Sequence, residues 1–587
     1  MANHNYDVVV VGASFGGVAV ALAAAADHNV HVALLEATDW IGGQATSQGV
    51  SRWDEASVDL LQTTCGTKSY RDLRHAISAY YHDNATLSAF GESQSHFNPG
   101  FAATNYPFSV DPSVTQRVLR DLVAAASPRL DLRLNTTVVS VDVQNGSVQG
   151  LTTSGGDTYT AKAYLDATDL GDLLPLAKIP LKIGAEAHAD THEPNAPAVA
   201  HPEWVQPITV PIAIERRDGE NHTIRKPANF DDIARKQNFH IIDGDINGVL
   251  QPKLGGSESV FGYRQYIDAR NFNDPNYAHD RTTLNVGSND YMDATLPSGD
   301  PARDRTIYNG ARDASIAFLY WLQTEAKRDN GIGSGFPELK VRTDAFGTAD
   351  GCAPAAYIRE SRRIDAEERI LQQHIAKQSF PAGTQRAALF QTSCGIGTYG
   401  IDIHAATGPG TPWLAFETLH FQIPLGSLLP KQLDNFIAAC KNIGATHLTS
   451  GAYRVHPVEW AIGEAAGILG AFAARQGVTP KQVFQQTDRR TTYQYRLLAR
   501  GVPIYWWSDV QFEDDPKTFV AAHLCAVNGV FSGGDPKFAF NPNEPATATT
   551  RKAIDDNVGR ELPWPDTAMT RAEAAVFVCQ QMGWPIG

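Results

Sequence analysis

The first forty residues hold two short apolar runs separated by a stretch of small residues. Residues 6–12 are β-branched and end in glycine, while residues 30–37 form a second apolar run that closes on Glu36 and an alanine. Residues 16–29, between them, are rich in alanine and other helix-forming residues. Short apolar runs of this kind are typical of strands buried on both faces of a parallel sheet. The pattern therefore predicts a β-α-β unit.

The turn after the first strand has nearly the spacing G-x-G-x-x-G. Gly12 and Gly17 take the outer positions, and Ser14 stands at the middle one. A helix N-terminus here directs N–H groups at a pyrophosphate, and an acid at the second strand end, Glu36, can accept hydrogen bonds from a ribose. Serine is small and its hydroxyl can donate to a phosphate, so we interpret the unit as a dinucleotide site. The alternative, a β-α-β unit without a ligand, does not explain why Glu36 stands at the end of the second strand.

The next segment, residues 39–49, selects the cofactor. Its Gly42-Gly43 pair comes just after the acidic strand end. In flavoproteins of the glutathione-reductase-like superfamily, a Gly-Gly turn at this place passes beside the ribityl chain and the flavin ring, and enzymes that bind only NAD lack it. The polar residues that can line the flavin edge are Gln44, Thr46, Ser47 and Gln48.

Residues 132–168 alternate with a period of two, and Asn145-Gly146 predicts a tight hairpin. The last strand of this segment ends in Ala167-Thr168-Asp169. The superfamily has an Ala-Thr-Gly-like turn where the chain returns to the adenine side of the cofactor. Asp169 is a departure from that pattern.

Residues 435–477 contain a buried strand followed by a long apolar helix. Gly463, Gly467 and Gly470 have the spacing of a helix that packs closely against a neighbour. The helix begins near Pro457, where its N–H groups and dipole can stabilise the anionic reduced flavin. Three polar residues flank this point: Arg454, His456 and Glu459.

The middle of the chain, from about 175 to 345, is mixed in pattern and resembles an inserted substrate domain. It has one clear helix, residues 313–328, and a polar cluster that either caps a strand or faces a substrate: Asn285, Asn289, Asp290 and Tyr291. Residues 355–371 predict a strand that runs into a helix. The spacing of Arg359, Arg362 and Arg363 there fits either an intrahelical ion-pair face or one inward arginine that binds an anionic or carbonyl group.

Residues 392–431 are glycine-punctuated and supply the candidate proton-transfer groups. These are Cys394, Tyr399, His404 and His420, each with a structural role as the alternative. With His456 and Arg359, the last three make up the predicted catalytic set.

Composition narrows the function classes. The 587 residues are 43% hydrophobic and 19% charged, with a formal charge of −15 that argues against a nucleic-acid or anionic-membrane partner. No apolar run is long enough to span a bilayer, and no basic segment precedes the strand at Tyr6, so no signal peptide is predicted. The six cysteines lack C-x-x-C spacing, which predicts buried free thiols and no metal site.

Together these segments resemble the bacterial FAD-dependent oxidoreductases of the FAD_oxidored type, relatives of the glutathione-reductase and fumarate-reductase flavoproteins. The resemblance covers roughly residues 5–500, and its carriers include "WIGGQATSQGV", "YIRESRRI", "GIGTYGIDIH" and "YRVHPVEWAIGEAAG". It implies FAD held without a covalent bond, redox chemistry, and no particular substrate. The cofactor-binding residues expected from motif and resemblance together are Gly12, Ser14, Phe15, Gly16, Gly17, Glu36, Ala37, Gly42, Gly43, Gln44, Thr46, Ser47, Val138, Ala167, Thr168, Asn442, His456, Pro457 and Glu459.

The segment after about residue 505 is similar to an S-layer-homology repeat. Its carriers are a Phe-x-Asp opening, a Gly-rich turn at Gly533-Gly534, Phe540-Asn541-Pro542, and "TRAE" at 570–573. The last is also a capping box, so helix initiation is the alternative. One repeat and part of a second are fewer than wall binding usually uses, which favours a packing or dimerisation appendage over a cell-wall anchor.

The sequence thus predicts an α/β fold: a Rossmann-like FAD-binding domain (1–175 and 431–500), an inserted α+β substrate domain (176–430) and a small helical C-terminal domain (501–587). We expect hydride transfer between a small polar organic substrate and flavin N5. The alternatives are a monooxygenase using NAD(P)H and oxygen, and a surface-associated binding protein with a vestigial flavin fold. The sequence does not identify the electron donor or acceptor, and it is compatible with a homo-oligomer. The missing signal peptide favours the cytoplasm, and the tail leaves export or surface association open.

Overall fold

A computed structural model describes residues 2–56, 60–101, 107–253, 257–406, 411–531 and 538–587. The strands are β1 (Asn3–Asn5), β2 (Val8–Val11), β3 (Val32–Leu35), β4 (Leu130–Arg133), β5 (Val138–Gln144), β6 (Ser147–Thr153), β7 (Thr158–Thr160), β8 (Ala163–Asp166), β9 (Leu181–Lys182), β10 (Ile212–Arg216), β11 (Ile242–Asp243), β12 (Ile246–Asn247), β13 (Gln265–Ile267), β14 (Arg281–Leu284), β15 (Leu339–Val341), β16 (Arg363–Ile364), β17 (Ser393–Gly397), β18 (Ile401–Ile403), β19 (Leu414–Phe416), β20 (Phe421–Pro424) and β21 (Phe436–Ala438).

The α-helices vary from one turn to 24 residues. They are α1 (Phe15–Ala25), α2 (Lys68–Asn84), α3 (Ala89–Glu92), α4 (Pro112–Ala125), α5 (Leu173–Leu176), α6 (His188–Thr191), α7 (Phe230–Gln237), α8 (Val260–Tyr263), α9 (Pro301–Thr324), α10 (Gln372–Ile375), α11 (His447–Tyr453), α12 (His456–Gln476), α13 (Pro480–Gln485), α14 (Thr487–Leu498), α15 (Pro516–Val527), α16 (Ala548–Val558) and α17 (Arg571–Gln581).

The central sheet has five parallel strands in the order β21-β8-β2-β3-β4. Every residue of β2 and β3 is buried, as their uninterrupted apolar runs predict. In register, Val8 pairs with Val32 on one side and with Ala163 on the other. The parallel sheet with α1 as its first crossover confirms the predicted Rossmann-like α/β fold.

Helices α1 and α12 pack directly against each other. A Cβ added to Gly463 would lie far inside van der Waals contact of the Gly16 carbonyl oxygen, and one added to Gly467 would collide with the carbonyl oxygen of Val20. The same helix crosses the sheet at Gly470, whose nearest neighbours are apolar side chains such as Leu165. The glycine spacing therefore lets the two backbones touch, which fixes the N-terminus of α1 next to the start of α12.

A second sheet, β1-β7-β6-β5, carries the predicted hairpin. Strands β5 and β6 pair in antiparallel fashion, and both residues of the connecting turn have positive φ, 50° at Asn145 and 75° at Gly146. Asparagine and glycine tolerate that conformation best, which confirms the hairpin.

The middle of the chain contains the sheet β13-β14-β10-β15, whose paired strands are antiparallel, and the long helix α9. Its buried side chains, among them Ile212, Leu284 and Phe318, form a hydrophobic cluster distinct from the one around the central sheet. The predicted helix at 313–328 is part of α9, which begins earlier and ends at Thr324.

The interpretation of residues 355–371 as a strand that runs into a helix was wrong. The segment is extended, and its only regular element is β16, which pairs with β9. Arg359 and Arg363 are 3% and 0% exposed. Buried carboxylates from distant segments, such as Glu186 3.1 Å from Arg363, bind these guanidinium groups, so the charges do not form an intrahelical surface face.

The C-terminal segment packs on the part of the chain that holds the central sheet. Buried side chains of α15 and α17 belong to the same hydrophobic cluster as the central sheet, and Arg71 Nη2 binds Glu513 Oε1 at 2.6 Å. The Thr570–Glu573 capping box is present in the structure. The Gly-rich turn of the S-layer-like pattern lies outside the described residues.

All six cysteines are buried and free, as predicted. Within the described residues, no helix has the length and apolar character needed to cross a membrane.

Candidate active site

A cavity of about 330 Å³ opens at the carboxyl ends of β2, β3 and β8. This is where an open parallel sheet places its ligands. Predicted cofactor residues from three separate segments line it: Gly12, Ser14, Glu36, Ala37, Gly43, Ser47, Val138, Ala167 and Thr168.

The first turn of α1 forms the floor of this cavity. Ser14 is the N-cap residue, and its Oγ accepts the Gly17 N–H at 3.0 Å. At the position where the motif usually has its second glycine, the serine therefore caps the N-terminus of α1. Gly12 has a φ of +91°, and a Cβ there would lie 2.6 Å from both Ala167 O and Thr168 N, so this position requires glycine.

The N-terminus of α1 fits a diphosphate. Within the described residues, the N–H groups of Ser14 and Phe15 donate to no acceptor, which leaves two donors at the positive end of the helix. Gly43 approaches this turn so closely that a Cβ would lie 3.0 Å from Ser14 Cα and 3.2 Å from Phe15 N. Glycine at 43 therefore keeps the phosphate donors accessible.

Glu36, the residue predicted to bind the ribose, lies just after β3. Its Oε2 accepts the Ala13 N–H at 2.7 Å, and its Oε1 accepts the N–H and hydroxyl of Thr38 at 2.9 and 2.8 Å. Burial raises the pKa of this carboxyl, while these hydrogen bonds oppose the rise. The carboxylate is held in place at the strand end with acceptor capacity left for a ribose diol.

Replacing Glu36 by alanine should weaken FAD binding by about 10- to 150-fold, because a charge-assisted hydrogen bond is worth about 1.5–3 kcal/mol. Titration of the apoprotein with FAD, followed by flavin fluorescence, measures the effect. Asp39→Ala, which removes an exposed acid three residues away, is the matched control and should bind like wild type. Equal affinities of both variants and the wild type would refute the ribose assignment.

A second cavity, of about 340 Å³, adjoins the first. Ser47, Gln48 and Ile358 line the first cavity, whereas Arg52, Asp54, Tyr357 and Arg359 line the second. The Ile358 N–H donates to Gln48 Oε1 at 3.1 Å and ties the two shared segments together. Residues 355–359 therefore form a wall common to the two cavities, with Ala356 and Ile358 on the side of the first and Tyr357 and Arg359 on the side of the second.

Charged groups of both signs surround the second cavity. Asn285, from the predicted polar cluster, also lines it. Each of its four arginines has a carboxylate partner: Arg52 with Glu258 (3.0 Å), Arg264 with Asp54 (2.8 Å), Arg359 with Asp290 (2.9 Å) and Arg454 with Asp402 (3.2 Å). The positive charge of each arginine is therefore matched by a carboxylate, and the cavity offers both hydrogen-bond donors and acceptors.

His404 lines the second cavity between two carboxylates. Its Nδ1 lies 2.5 Å from Asp290 Oδ2, its Nε2 lies 3.6 Å from Asp402 Oδ2, and its ring stacks on Trp413 at 4.2 Å. Burial raises the pKa of Asp290, but the charges of Arg359 and His404 outweigh it, so this pKa lies below the ordinary value. The same balance lowers the pKa of Asp402. Both carboxylates remain anionic beside the imidazole.

Of the other predicted catalytic residues, Tyr399 and Arg359 also line this cavity. Burial raises the pKa of the Tyr399 phenol well above its ordinary value. His420 lines neither of these two cavities, and its ring packs against Phe538 of the C-terminal segment. His456 lines neither cavity; it is fully buried, stacks on Trp53, and accepts the Asp54 N–H on Nδ1.

Several predicted cofactor residues lie one layer behind the cavity walls. Gln44 donates to Arg454 O at 2.9 Å and to Glu459 Oε2 at 2.5 Å, and Glu459 in turn accepts the Gly16 N–H at 2.9 Å. The remaining residues in this layer are Phe15 by its side chain, Gly16, Gly17, Gly42, Thr46, Asn442 and Pro457. These residues hold the loop of residues 39–49 against the first turns of α1 and α12.

The predicted catalytic and cofactor sets omitted Asp54, Asp169, Arg264 and Tyr357, which line the cavities. The clearest available signal was the "RWD" at 52–54, just after the flavin loop. Arg264 and Tyr357 lie in segments without a motif.

Two buried histidines predict a pH-dependent stability. Burial lowers the pKa of both His456 and His523 to about 3, from an ordinary 6.5. The unfolded chain therefore binds more protons below pH 6.5, so their contribution is full above that pH and is lost as the pH falls toward 3. Each should cost about 1.4 kcal/mol of unfolding free energy per pH unit below pH 6. Urea unfolding at pH 7.5, 6 and 5 measures this dependence.

In the same series, His523→Gln should reduce the pH slope by about one proton. The control, His28→Gln, alters an exposed histidine and should leave the slope unchanged. Identical slopes in both variants would show that His523 is not held neutral by the fold.

The Rossmann-like sheet and the cavity at its carboxyl edge agree with one protein family. The chain belongs to the FAD dependent oxidoreductase family (FAD_oxidored), whose model matches residues 7–495. The protein is accordingly an FAD-dependent oxidoreductase, and its cofactor is FAD. No curated protein matches the chain.

Solved structures similar to this chain include the Sdh1 complex of Mycobacterium smegmatis in the apo form (13% identity, 81% of this chain and 69% of that chain, TM-score 0.31). Glycine oxidase from Geobacillus kaustophilus shares 15% identity over 37% of this chain and 64% of its own, with a TM-score of 0.21. The chain covers 23% of L-proline dehydrogenase from P. horikoshii (15% identity, 28% of this chain, TM-score 0.16) and 36% of T. acidophilum thioredoxin reductase.

Proposed function

We propose that the protein transfers a hydride between a C–H bond of a small polar organic substrate and FAD, with the substrate in the second cavity. The observation that carries this proposal is the wall that the two cavities share, because alternate residues of 355–359 line one cavity or the other. A cofactor whose diphosphate binds at α1 and whose chain follows the Gly42-Gly43 loop is directed toward that wall.

The polarity of the second cavity supports a polar substrate. Its paired arginines and carboxylates can exchange partners with hydroxyl, amino or carboxylate groups at little cost in charge balance. Bound FAD supplies the redox chemistry, since it accepts or donates the hydride. The protein's part is to orient the substrate C–H bond, to exclude water and to handle the proton.

His404 is the residue best placed to handle the proton. The short contact with Asp290 fixes an N–H on Nδ1, so Nε2, which lies 3.6 Å from Asp402, is the nitrogen that can exchange a proton with a substrate O–H or N–H. The side chain is 12% exposed and belongs to the cavity wall, so a substrate can reach it. Proton transfer by a positioned histidine contributes about 10²–10⁴-fold to rate.

Anaerobic mixing of the FAD-loaded protein with polar alcohols, hydroxy acids and amino acids tests the proposal. We expect one class to bleach the flavin absorbance without any added nicotinamide. Bleaching by NAD(P)H alone, followed by rapid oxygen consumption, would contradict the proposal and favour the monooxygenase alternative.

We also propose that residues 501–587 are a packing appendage of the FAD-binding domain. The buried side chains of α15 and α17, which belong to the same hydrophobic cluster as the central sheet, support this role. Sedimentation of the intact protein with purified cell walls would contradict it and favour surface attachment.

A further inference from the structure

The cavity that fits the cofactor diphosphate is lined by carboxylates. Glu36, Asp169 and Asp172 are among its lining residues, and no lysine or arginine is among them in the described part of the chain. A diphosphate brings about two further negative charges, and the partial charge of one helix N-terminus offsets only about half a charge. A cation behind the cavity wall would offset part of this negative charge.

Lys441 is that cation. Its Nζ lies 2.5 Å from Asp169 Oδ1 and 3.0 Å from Glu459 Oε2, and its side chain is 2% exposed. Glu459 also accepts the Gly16 N–H, so the ammonium group sits beneath the first turn of α1. Arg362 binds Asp172, another carboxylate of the cavity wall, at 3.0 Å.

Lys441 remains charged in this position. Burial lowers its pKa, but the charges of Asp169 and Glu459 outweigh burial and hold the pKa well above its ordinary value. Ligand atoms of Asp169, Cys440 and Glu459 lie within 4.8 Å of one another, a grouping that could suit a metal ion. The ammonium already binds both carboxylates of this group.

Asp169 stands directly at the phosphate turn. A Cβ on Gly43 would lie 3.2 Å from its Oδ2 and 3.2 Å from Phe15 N, so this oxygen is close to the N–H groups that fit the diphosphate. It is also the position where the sequence departs from the Ala-Thr-Gly-like turn. A carboxylate here repels a diphosphate unless its charge is compensated.

We propose that Lys441 supplies the counter-charge for the cofactor diphosphate from behind Asp169, and that this lysine is what makes an aspartate acceptable at the phosphate turn. The two residues should then act on FAD affinity in opposite directions. The inference holds for any substrate in the second cavity, since it concerns cofactor binding alone.

The test compares Lys441→Met, Asp169→Asn and the double variant. The FAD dissociation constant of each apoprotein is measured by flavin fluorescence, and its apoprotein melting temperature by calorimetry. Lys441→Met should weaken FAD by about tenfold, since it removes a buried positive charge beside the phosphate turn, where charges attract more strongly than in water. Asp169→Asn should bind FAD at least as tightly as wild type, and the double variant should recover to within about threefold of it.

The matched control is Lys431→Met, which removes a half-exposed lysine paired with Asp365 at 2.9 Å. It should leave FAD affinity unchanged. If Lys441→Met does not fold, Asp169→Asn and the double variant still decide the question. The proposal fails if Lys441→Met changes the dissociation constant by less than threefold, or if Asp169→Asn weakens FAD, which would make the carboxylate itself a cofactor ligand.

Discussion

Replacing Gly463 by alanine should destabilise the protein by about 2–4 kcal/mol and deplete it of FAD. The new Cβ would overlap the carbonyl oxygen of Gly16, and both partners are backbone atoms of packed helices that cannot rotate away. Separation of α1 from α12 displaces the turn at Ser14 and Phe15, which fits the diphosphate. Urea unfolding and the flavin content of the purified protein measure the two effects.

Gly470→Ala is the control on the same helix. Its Cβ would lie 3.3 Å from Leu165 Cδ1, the end of a side chain that can shift, and alanine is favoured over glycine in a helix by about 1 kcal/mol. We expect its stability to stay within about 1 kcal/mol of wild type, with normal flavin content. If the two variants behave alike, the close approach of α1 and α12 is not what positions the cofactor turn.

Replacing His404 by asparagine should lower the turnover number by about 100-fold without changing FAD affinity. Asparagine keeps a polar side chain in the cavity wall but cannot accept a proton from the substrate. Steady-state kinetics with the substrate found by anaerobic bleaching gives the turnover number, and flavin titration gives the affinity.

Asp290→Asn should show a smaller loss of the same kind, because it releases the Nδ1 proton that sets the tautomer of His404. His240→Asn, at an exposed histidine, is the control and should turn over like wild type. An unchanged turnover number in His404→Asn would assign the proton to another group, with Tyr399 the next candidate in the cavity.

The part of the site made by neighbouring residues could be predicted from the sequence. The strands β2 and β3, the turn from Gly12 to Gly17 and Glu36 lie within one short unit, so local patterns and spacing define them. Ser14 could be accepted for its size, although its role as helix cap emerges only from the hydrogen bond to Gly17.

The second cavity could not be predicted in the same way. His404 and Asp290 are 114 residues apart, and Arg264 reaches Asp54 across 210 residues. No local spacing encodes such contacts. The helix predicted around Arg359 and Arg363 was wrong for a related reason. The spacing of the arginines at 359–363 suits a helix, but their burial and their pairing with distant carboxylates determine the extended conformation.

The departure at Asp169 shows what one sequence can still reveal. In the sequence it is a single unusual residue in a turn, and its partner Lys441 lies 272 residues later in the chain. Only the folded chain brings the two charges together. The aspartate at position 169 is therefore explained together with Lys441 and not by itself.

The central claim is that one continuous site runs from the phosphate turn to the second cavity. A crystal structure of the FAD complex tests it most directly. We predict diphosphate oxygens within hydrogen-bond distance of the N–H groups of Ser14 and Phe15, and the flavin ring at the shared wall of residues 355–359, facing the cavity of His404. A flavin ring that lies away from that wall, or a diphosphate bound elsewhere than at α1, would contradict the account.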